Sequence, residues 1–206
     1  ASPDHWSEDG WAWRSFRNTK WPHFWERTGP QGVHEYSLRL PFDEVPLPLD
    51  LPAEVNKHEA QAYCKWLSNE TNQSLRLPTE AEYHLMLEAN DGCTLAKARE
   101  NEAVDDVATL GAKELATTPL NANLAWGSPS SVHDGQAPFS GLRGNSWEYC
   151  EDWFAALPGY ETHPLYEDFS TPCFDGQHAL ILGGSFASTG NEASVFSRFH
   201  FRPHFH

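Results

Sequence analysis

The chain has no apolar run approaching the ~18–20 residues of a membrane-spanning helix, and no basic-then-apolar leader. Neither a membrane span nor a signal peptide is therefore expected. Basic residues are scarce: 14 Lys and Arg stand against 29 Asp and Glu, for a net charge of −15. Such a surface cannot easily present the cationic stripe that phosphate contacts require, so nucleic acid is not an expected partner. The four cysteines, Cys64, Cys93, Cys150 and Cys173, are widely separated and include no C-x-x-C pair. That spacing excludes a disulfide framework and a zinc ribbon, and reduced thiols in a cytoplasmic-type compartment are the expectation. The first residues are Ala-Ser-Pro rather than Met, as expected of part of a longer, processed or trimmed polypeptide.

Rings and chain breakers are abundant instead. Nine Trp and twelve Phe accompany a single Met, so rigid aromatics must fill much of the core. Fifteen Pro and fourteen Gly argue against a helical bundle and for a loop-rich fold of short elements. Over the first fifty residues Trp and Phe alternate with polar residues, and YSLRL alternates cleanly, which predicts short strands. Two helices have local start signals. Asn56 and Glu59 form a capping-box pair before a helix ending near Asn69, with Ala62, Tyr63, Trp66 and Leu67 on its buried face. Thr79 to Glu82 repeats the device for a helix through about Ala89, stopped by Gly92. Residues 93–120 are acidic and Ala-rich without a strong period, whereas ALILGGSF and VFSRFHFRP each read as a strand. Residues 1–206 are expected to form one α+β domain.

Four segments in order, VNKHEAQAYCKWLS, LRLPTEAEYH, GLRGNSWEYCEDWF and LILGGSF…FSRFHFRP, span most of the chain. Their order and spacing resemble the formylglycine-generating-enzyme-like (sulfatase-modifying factor) domain, a variant of the C-type lectin fold with two main helices and short strands. Within that superfamily, GWAWRSFRN, HPLYEDFSTPCFDG and RFHFRPHF are most similar to the C-terminal part of the ergothioneine and ovothiol sulfoxide synthases, and among these to the ovothiol (5-histidylcysteine) type. The resemblance implies an oxidoreductase that uses non-haem Fe(II) and O2 to join the thiol of cysteine to the imidazole of histidine. It also implies that three histidines of a DinB-like domain, absent from this chain, hold the iron. Classical formylglycine generators need paired cysteines in the strands after GGS, where thiolates do the chemistry. The corresponding GGSFASTGNEASVFSRFHFRPHFH has none, which excludes that activity.

Tyr166, in YEDFS, matches a synthase tyrosine that stands by the iron and donates a proton or hydrogen atom; a phenol remains a neutral donor at pH 7. His200, Arg202, His204 and His206 form the densest imidazole and cation cluster, and Pro203 excludes a helix that would gather them. In a strand, His200 and Arg202 share one face. The cluster is open to three readings: a metal site, a substrate-facing strand, or a solvated terminal strand. The resemblance implies that Arg198, His200, Phe201 and Arg202 line the substrate site, with an arginine meeting substrate carboxylates. Cys173 falls in the same region, and with no basic residue beside it in sequence it reads as a packed thiol. Glu148, Glu151 and Asp152 read as parts of a structural turn, with Trp147 and Trp153 in the core. The resemblance further implies a calcium site, its oxygen ligands drawn from Asn123, Leu124, Leu142, Gly144 and Ser146, although Gly141 stands where relatives often have Asn. Two other readings are a non-catalytic lectin-like scaffold in a larger assembly and an ergothioneine-type synthase acting on trimethylated histidine. A quaternary ammonium calls for acidic or aromatic neighbours, and RFHFRP offers arginine.

Overall fold

A computed structural model describes residues 2–30, 33–91, 120–134, 138–165, 170–189 and 191–206. Among these, Glu8–Arg17 forms helix α1, where short strands are the sequence expectation. The physical reason lies at its ends. Ser7 Oγ accepts from Gly10 N at 3.1 Å, Glu8 and Asp9 occupy the first turn, Arg14 and Arg17 the last, and Asn18 closes it in the left-handed region. Aromatic–polar alternation over so few residues does not separate a period of 2 from one of 3.6. Gly10 lets α1 approach its neighbour closely, since a Cβ there would lie 3.2 Å from His58 Cβ.

That neighbour is α2, Lys57–Thr71. Its capping box is complete: Glu59 N donates to Asn56 Oδ1 at 3.1 Å, and Asn56 N donates to Glu59 Oε2 at 3.0 Å. Ala62 is buried as expected, but Tyr63 and Trp66 are 57% and 40% exposed, their rings against one another on the outer surface. Helix α3, Glu80–Asp91, starts on the second box, with Glu82 N donating to Thr79 Oγ1 and Thr79 N to Glu82 Oε2. Tyr83 and Leu87, one turn apart, are both buried. Gly92, Cys93 and most of the Ala-rich stretch lie outside the described residues.

Two three-stranded antiparallel sheets complete the described fold. The first runs β1 (Trp25–Arg27), β2 (Tyr36–Arg39), β3 (Glu44–Pro46), with Leu38 opposite both Trp25 and Val45. The second runs β4 (Glu148–Trp153), β5 (Ala179–Leu182), β6 (Phe199–Phe201). All four residues of central β5 are buried. Leu180 and Leu182 join Tyr83, Leu87, Cys150, Phe154 and Val195 in the core. Trp147 packs at 5.0 Å from Phe199, but Trp153 is 45% exposed rather than in the core. Its ring instead covers the ammonium of Lys57, 4.4 Å from the centroid. Between Tyr149 and Trp153 the register of β4 on β5 shifts. Lys57, 1% exposed, fills that irregularity by donating to Glu151 O at 2.8 Å and Asp152 O at 3.3 Å.

Glu148, Glu151 and Asp152, expected in a structural turn, lie instead in strand β4, and two of them tie it to the helices. Asp152 Oδ2 accepts from Glu80 N at the start of α3, and Glu151 Oε1 accepts from Gln61 Nε2 of α2.

Candidate functional site

The polar segment before β5 folds back against β6. A 3-10 turn at Thr171–Cys173 carries the thiol, the following turn carries Asp175 and His178, and β6 brings His200 across from Leu180. Ligand atoms of Cys173, His178 and His200 all lie within 4.8 Å of one another. His178 Nδ1 meets Asp175 Oδ1 at 3.0 Å, and the two imidazoles stand edge to face at 5.1 Å. Phe154 lies 4.4 Å from the His200 ring and 5.1 Å from Phe174, with Tyr160 edge-on to Phe174 at 5.3 Å. The result is a half-buried aromatic surface with two imidazoles, one thiol and one carboxylate.

Arg202 is drawn to the same place. Its guanidinium donates to Gln177 Oε1 at 2.7 Å and pairs with Asp175 Oδ2 at 3.3 Å, and its side chain is 39% exposed. Arg202 lies just beyond the end of β6, so its approach to this place follows from its pairing with Asp175 and Gln177 rather than from strand alternation. Burial and then the neighbouring His178 lower the pKa of His200. Burial acts to raise the Asp175 carboxyl, but the Gln177 N–H, His178 and Arg202 outweigh it and hold the group below its usual value.

The remaining predicted residues are placed elsewhere. Arg198 forms a two-pronged pair with Glu80, at 2.6 and 3.0 Å, and donates to Ala155 O at 3.1 Å. Its guanidinium is engaged in tying β6 to α3. Phe201 points outward at 45% exposure and packs on Phe205. His206 meets Glu59 at 3.0 Å and stacks on His23, while His204 O accepts from Asn56 Nδ2. The terminal histidines therefore hold the start of α2, and the dense cluster seen in sequence divides in two because β6 ends at Phe201. Tyr166 lies outside the described residues.

The residues expected to hold calcium come together around Gly183-Gly184-Ser185. Asn123 N and Leu124 N donate to Ser188 O and Phe186 O, both at 2.8 Å, and Gly144 N donates to Gly183 O at 2.8 Å. Asn123 and Leu124 are left-handed, each with φ 55°. Leu142 O accepts from the Tyr83 hydroxyl, and Ser146 Oγ lies 3.4 Å from Glu148 Oε1. Burial pushes the Glu148 carboxyl up to about 7, against the opposing Ser146 hydrogen bond. Direct hydrogen bonds already stitch these loops. Asn145 is central to them: its Oδ1 accepts from Ser130 N at 2.7 Å, and its N donates to Asn121 O at 2.7 Å.

Sequence reasoning missed His178 and Asp175 as partners of Cys173 and His200. The signal available was D-x-x-H, five residues after the cysteine at its far end, in a turn that had to precede a buried strand.

Together, the helices, the paired small sheets and the glycine-pinned loops define an α+β domain of the formylglycine-generating-enzyme-like variety of the C-type lectin fold. Residues 43–206 match the sulfatase-modifying factor enzyme 1-like domain, and the chain belongs to that family. It is 30% identical over 188 residues to a hercynine oxygenase of Mycobacterium tuberculosis, a match covering 88% of this chain and 39% of the relative. A second hercynine oxygenase, from Mycolicibacterium thermoresistibile, is 29% identical over 191 residues, covering 88% of this chain and 38% of the relative. The chain thus spans about two fifths of the length of these relatives. Among solved structures, Treponema denticola variable protein 1 superposes with a TM-score of 0.52 at 20% identity, covering 93% of this chain and 75% of that one, which supports the fold alone.

Proposed function

We propose that this chain is the substrate-side half of a non-haem-iron, O2-dependent sulfoxide synthase that joins the thiol of cysteine to the imidazole of histidine, the ovothiol-forming reaction. The observation that carries the synthase class is the match over 88% of the chain to two oxygenases more than twice its length, on a fold whose strands after GGS lack the formylglycine generator's cysteines; histidine as the substrate rests on the likeness of HPLYEDFSTPCFDG and RFHFRPHF to the ovothiol type. The described residues offer one thiol and two imidazoles together rather than three imidazoles, so they do not suit the iron site, which falls to a DinB-like partner domain. The iron, when bound there, supplies dioxygen activation.

This chain would bind and orient the amino acids at the junction of the two domains, where ligand sites commonly form. Arg202 is the carboxylate anchor in this reading, because it is accessible and can exchange Asp175 for a substrate carboxylate. His200 forms the wall beside it, with Cys173 behind; Phe201, named for this wall from the sequence, faces away and packs on Phe205. Tyr166, seven positions before Cys173 in the sequence, is the proton or hydrogen-atom donor in this reading. Calcium bound by the Asn123, Leu124, Leu142, Gly144 and Ser146 loops would rigidify the segment that follows β5. A cytoplasmic location accords with the reduced-thiol expectation, and no described helix is long and apolar enough to cross a membrane.

A second reading, trimethylated histidine as substrate, is favoured by the two hercynine oxygenases and by the neutralisation of both arginines, Arg198 by Glu80 and Arg202 by Asp175. The test uses the full-length protein from its source organism, loaded with Fe(II) and supplied with O2, cysteine and either histidine or trimethylhistidine. Mass spectrometry should detect a sulfoxide-linked adduct with histidine, and Tyr166→Phe should slow or divert it. Product from trimethylhistidine alone would transfer the assignment to the ergothioneine type. No adduct with either, or a native polypeptide of only 23.2 kDa without a histidine-bearing subunit, would favour a non-catalytic scaffold.

A further inference from the structure

The structure assigns a second metal site, within this chain and distinct from the iron of the proposed reaction: Cys173, His178 and His200 form an open three-ligand site for a borderline cation such as zinc(II). The three donor atoms, all within 4.8 Å of one another, have a common centre about 2.8 Å or less from each. Zinc requires about 2.3 Å to sulfur and 2.0–2.1 Å to nitrogen, so closure asks each side chain to move by roughly half an ångström to one ångström. One thiolate with two imidazoles is a zinc-type donor set, and soft sulfur disfavours magnesium or calcium there.

Proximity alone would be weak, but the surroundings are those of a ligand set. Metal-binding histidines usually give their second ring nitrogen to a carboxylate, which fixes the tautomer and aims the other nitrogen at the ion. His178 has such a carboxylate, with Nδ1 on Asp175 Oδ1 at 3.0 Å, and the proposed site takes Nε2 as its donor. Asp175 is itself fixed, accepting from Gln177 N at 2.8 Å and His178 N at 3.2 Å and pairing with Arg202 at 3.3 Å. Phe154, 4.4 Å away, sets the plane of the His200 ring. Three elements independently supply the donors: the 3-10 turn, the turn before β5, and β6. All three ligands are half-buried, so a fourth position remains for water or a substrate thiol or carboxylate. No redox step is involved: the thiol proton leaves to solvent as the sulfur–metal bond forms.

Cobalt(II) added to chelator-treated full-length protein is the probe. Expected is a thiolate-to-cobalt charge-transfer band in the near ultraviolet, displaced by zinc(II), absent in Cys173→Ser and weakened in His178→Ala and His200→Gln. Asp175→Asn should lower zinc affinity about 10- to 100-fold with the band retained at saturation. A three-histidine iron site gives no thiolate band, so this readout is independent of the proposed reaction. Alkylation of Cys173 in the unsubstituted protein provides a check that needs no folded variant: zinc should protect the thiol. Absence of the band, its persistence in Cys173→Ser, or an alkylation rate indifferent to zinc would overturn the assignment, leaving the cluster as thiol–imidazole packing only.

Discussion

Replacing Lys57 with Met isolates the device that positions the site. The Lys57 ammonium is 1% exposed, has two backbone carbonyls as hydrogen-bond acceptors, and lies beneath the Trp153 ring. It holds the irregular part of β4, and two residues further on Phe154 N donates to His178 O at 2.7 Å. Methionine keeps the volume and removes every polar contact. Leaving two buried carbonyls unsatisfied costs about 1–3 kcal/mol each, and losing the cation–π contact about 0.5–2 kcal/mol. Relief from burying an ammonium offsets part of this, for a net loss of about 2–4 kcal/mol. In a chain of 206 residues that corresponds to a fall in Tm of about 5–15 °C. The pH dependence gives a second readout. Burial lowers the Lys57 pKa from its usual value, with Glu151 opposing. The unfolded chain therefore binds the extra proton between the folded and the ordinary lysine pKa, and stability should rise with pH across that window. Lys57→Met should lack this rise. Urea denaturation from pH 7 to 10 measures both effects. A Met variant equal to or more stable than the parent, with an unchanged pH slope, would refute the bridging role.

Arg198→Lys and Glu80→Gln should each destabilise by about 1–3 kcal/mol, with a double-mutant coupling above about 1 kcal/mol by chemical denaturation; additive effects would return Arg198 to the list of free substrate anchors. Of the described thiols, Cys150 should react last with iodoacetamide, because it is fully buried and pushed up to about 12, chiefly by burial; mass mapping that finds it modified ahead of Cys64 and Cys173 in folded protein would contradict the core packing. Arg76 and then Thr79 hold the Glu82 carboxyl down to about 2. The stabilisation from that group is complete above the ordinary glutamate pKa and lost as pH falls towards 2, so Arg76→Ala should flatten the acid limb of a stability–pH curve. Gly184→Ala places a Cβ 2.6 Å from Ala193 Cβ at φ +75° and should cost about 3 kcal/mol or more, read as a lowered urea midpoint.

What the sequence by itself determined is what acts within a few residues or along one repeating period. Both capping boxes connect positions three apart, so the starts of α2 and α3 are written in Asn56–Glu59 and Thr79–Glu82. The apolar run of β5 and the ordered motifs likewise identify the fold without coordinates. The start of α1 failed because alternation in a short aromatic stretch is ambiguous, although its Ser7 cap was present. Tertiary structure alone decided the partners across the chain: Arg198 with Glu80, 118 positions apart, and His206 with Glu59, 147 apart. It also buried Lys57, which by local pattern belongs on the outside of a helix, because an irregular strand needed a donor there. The candidate site follows the same rule. Cys173, His178 and His200 meet only because β5 and β6 pair antiparallel, and sheet register is fixed by which apolar face is buried.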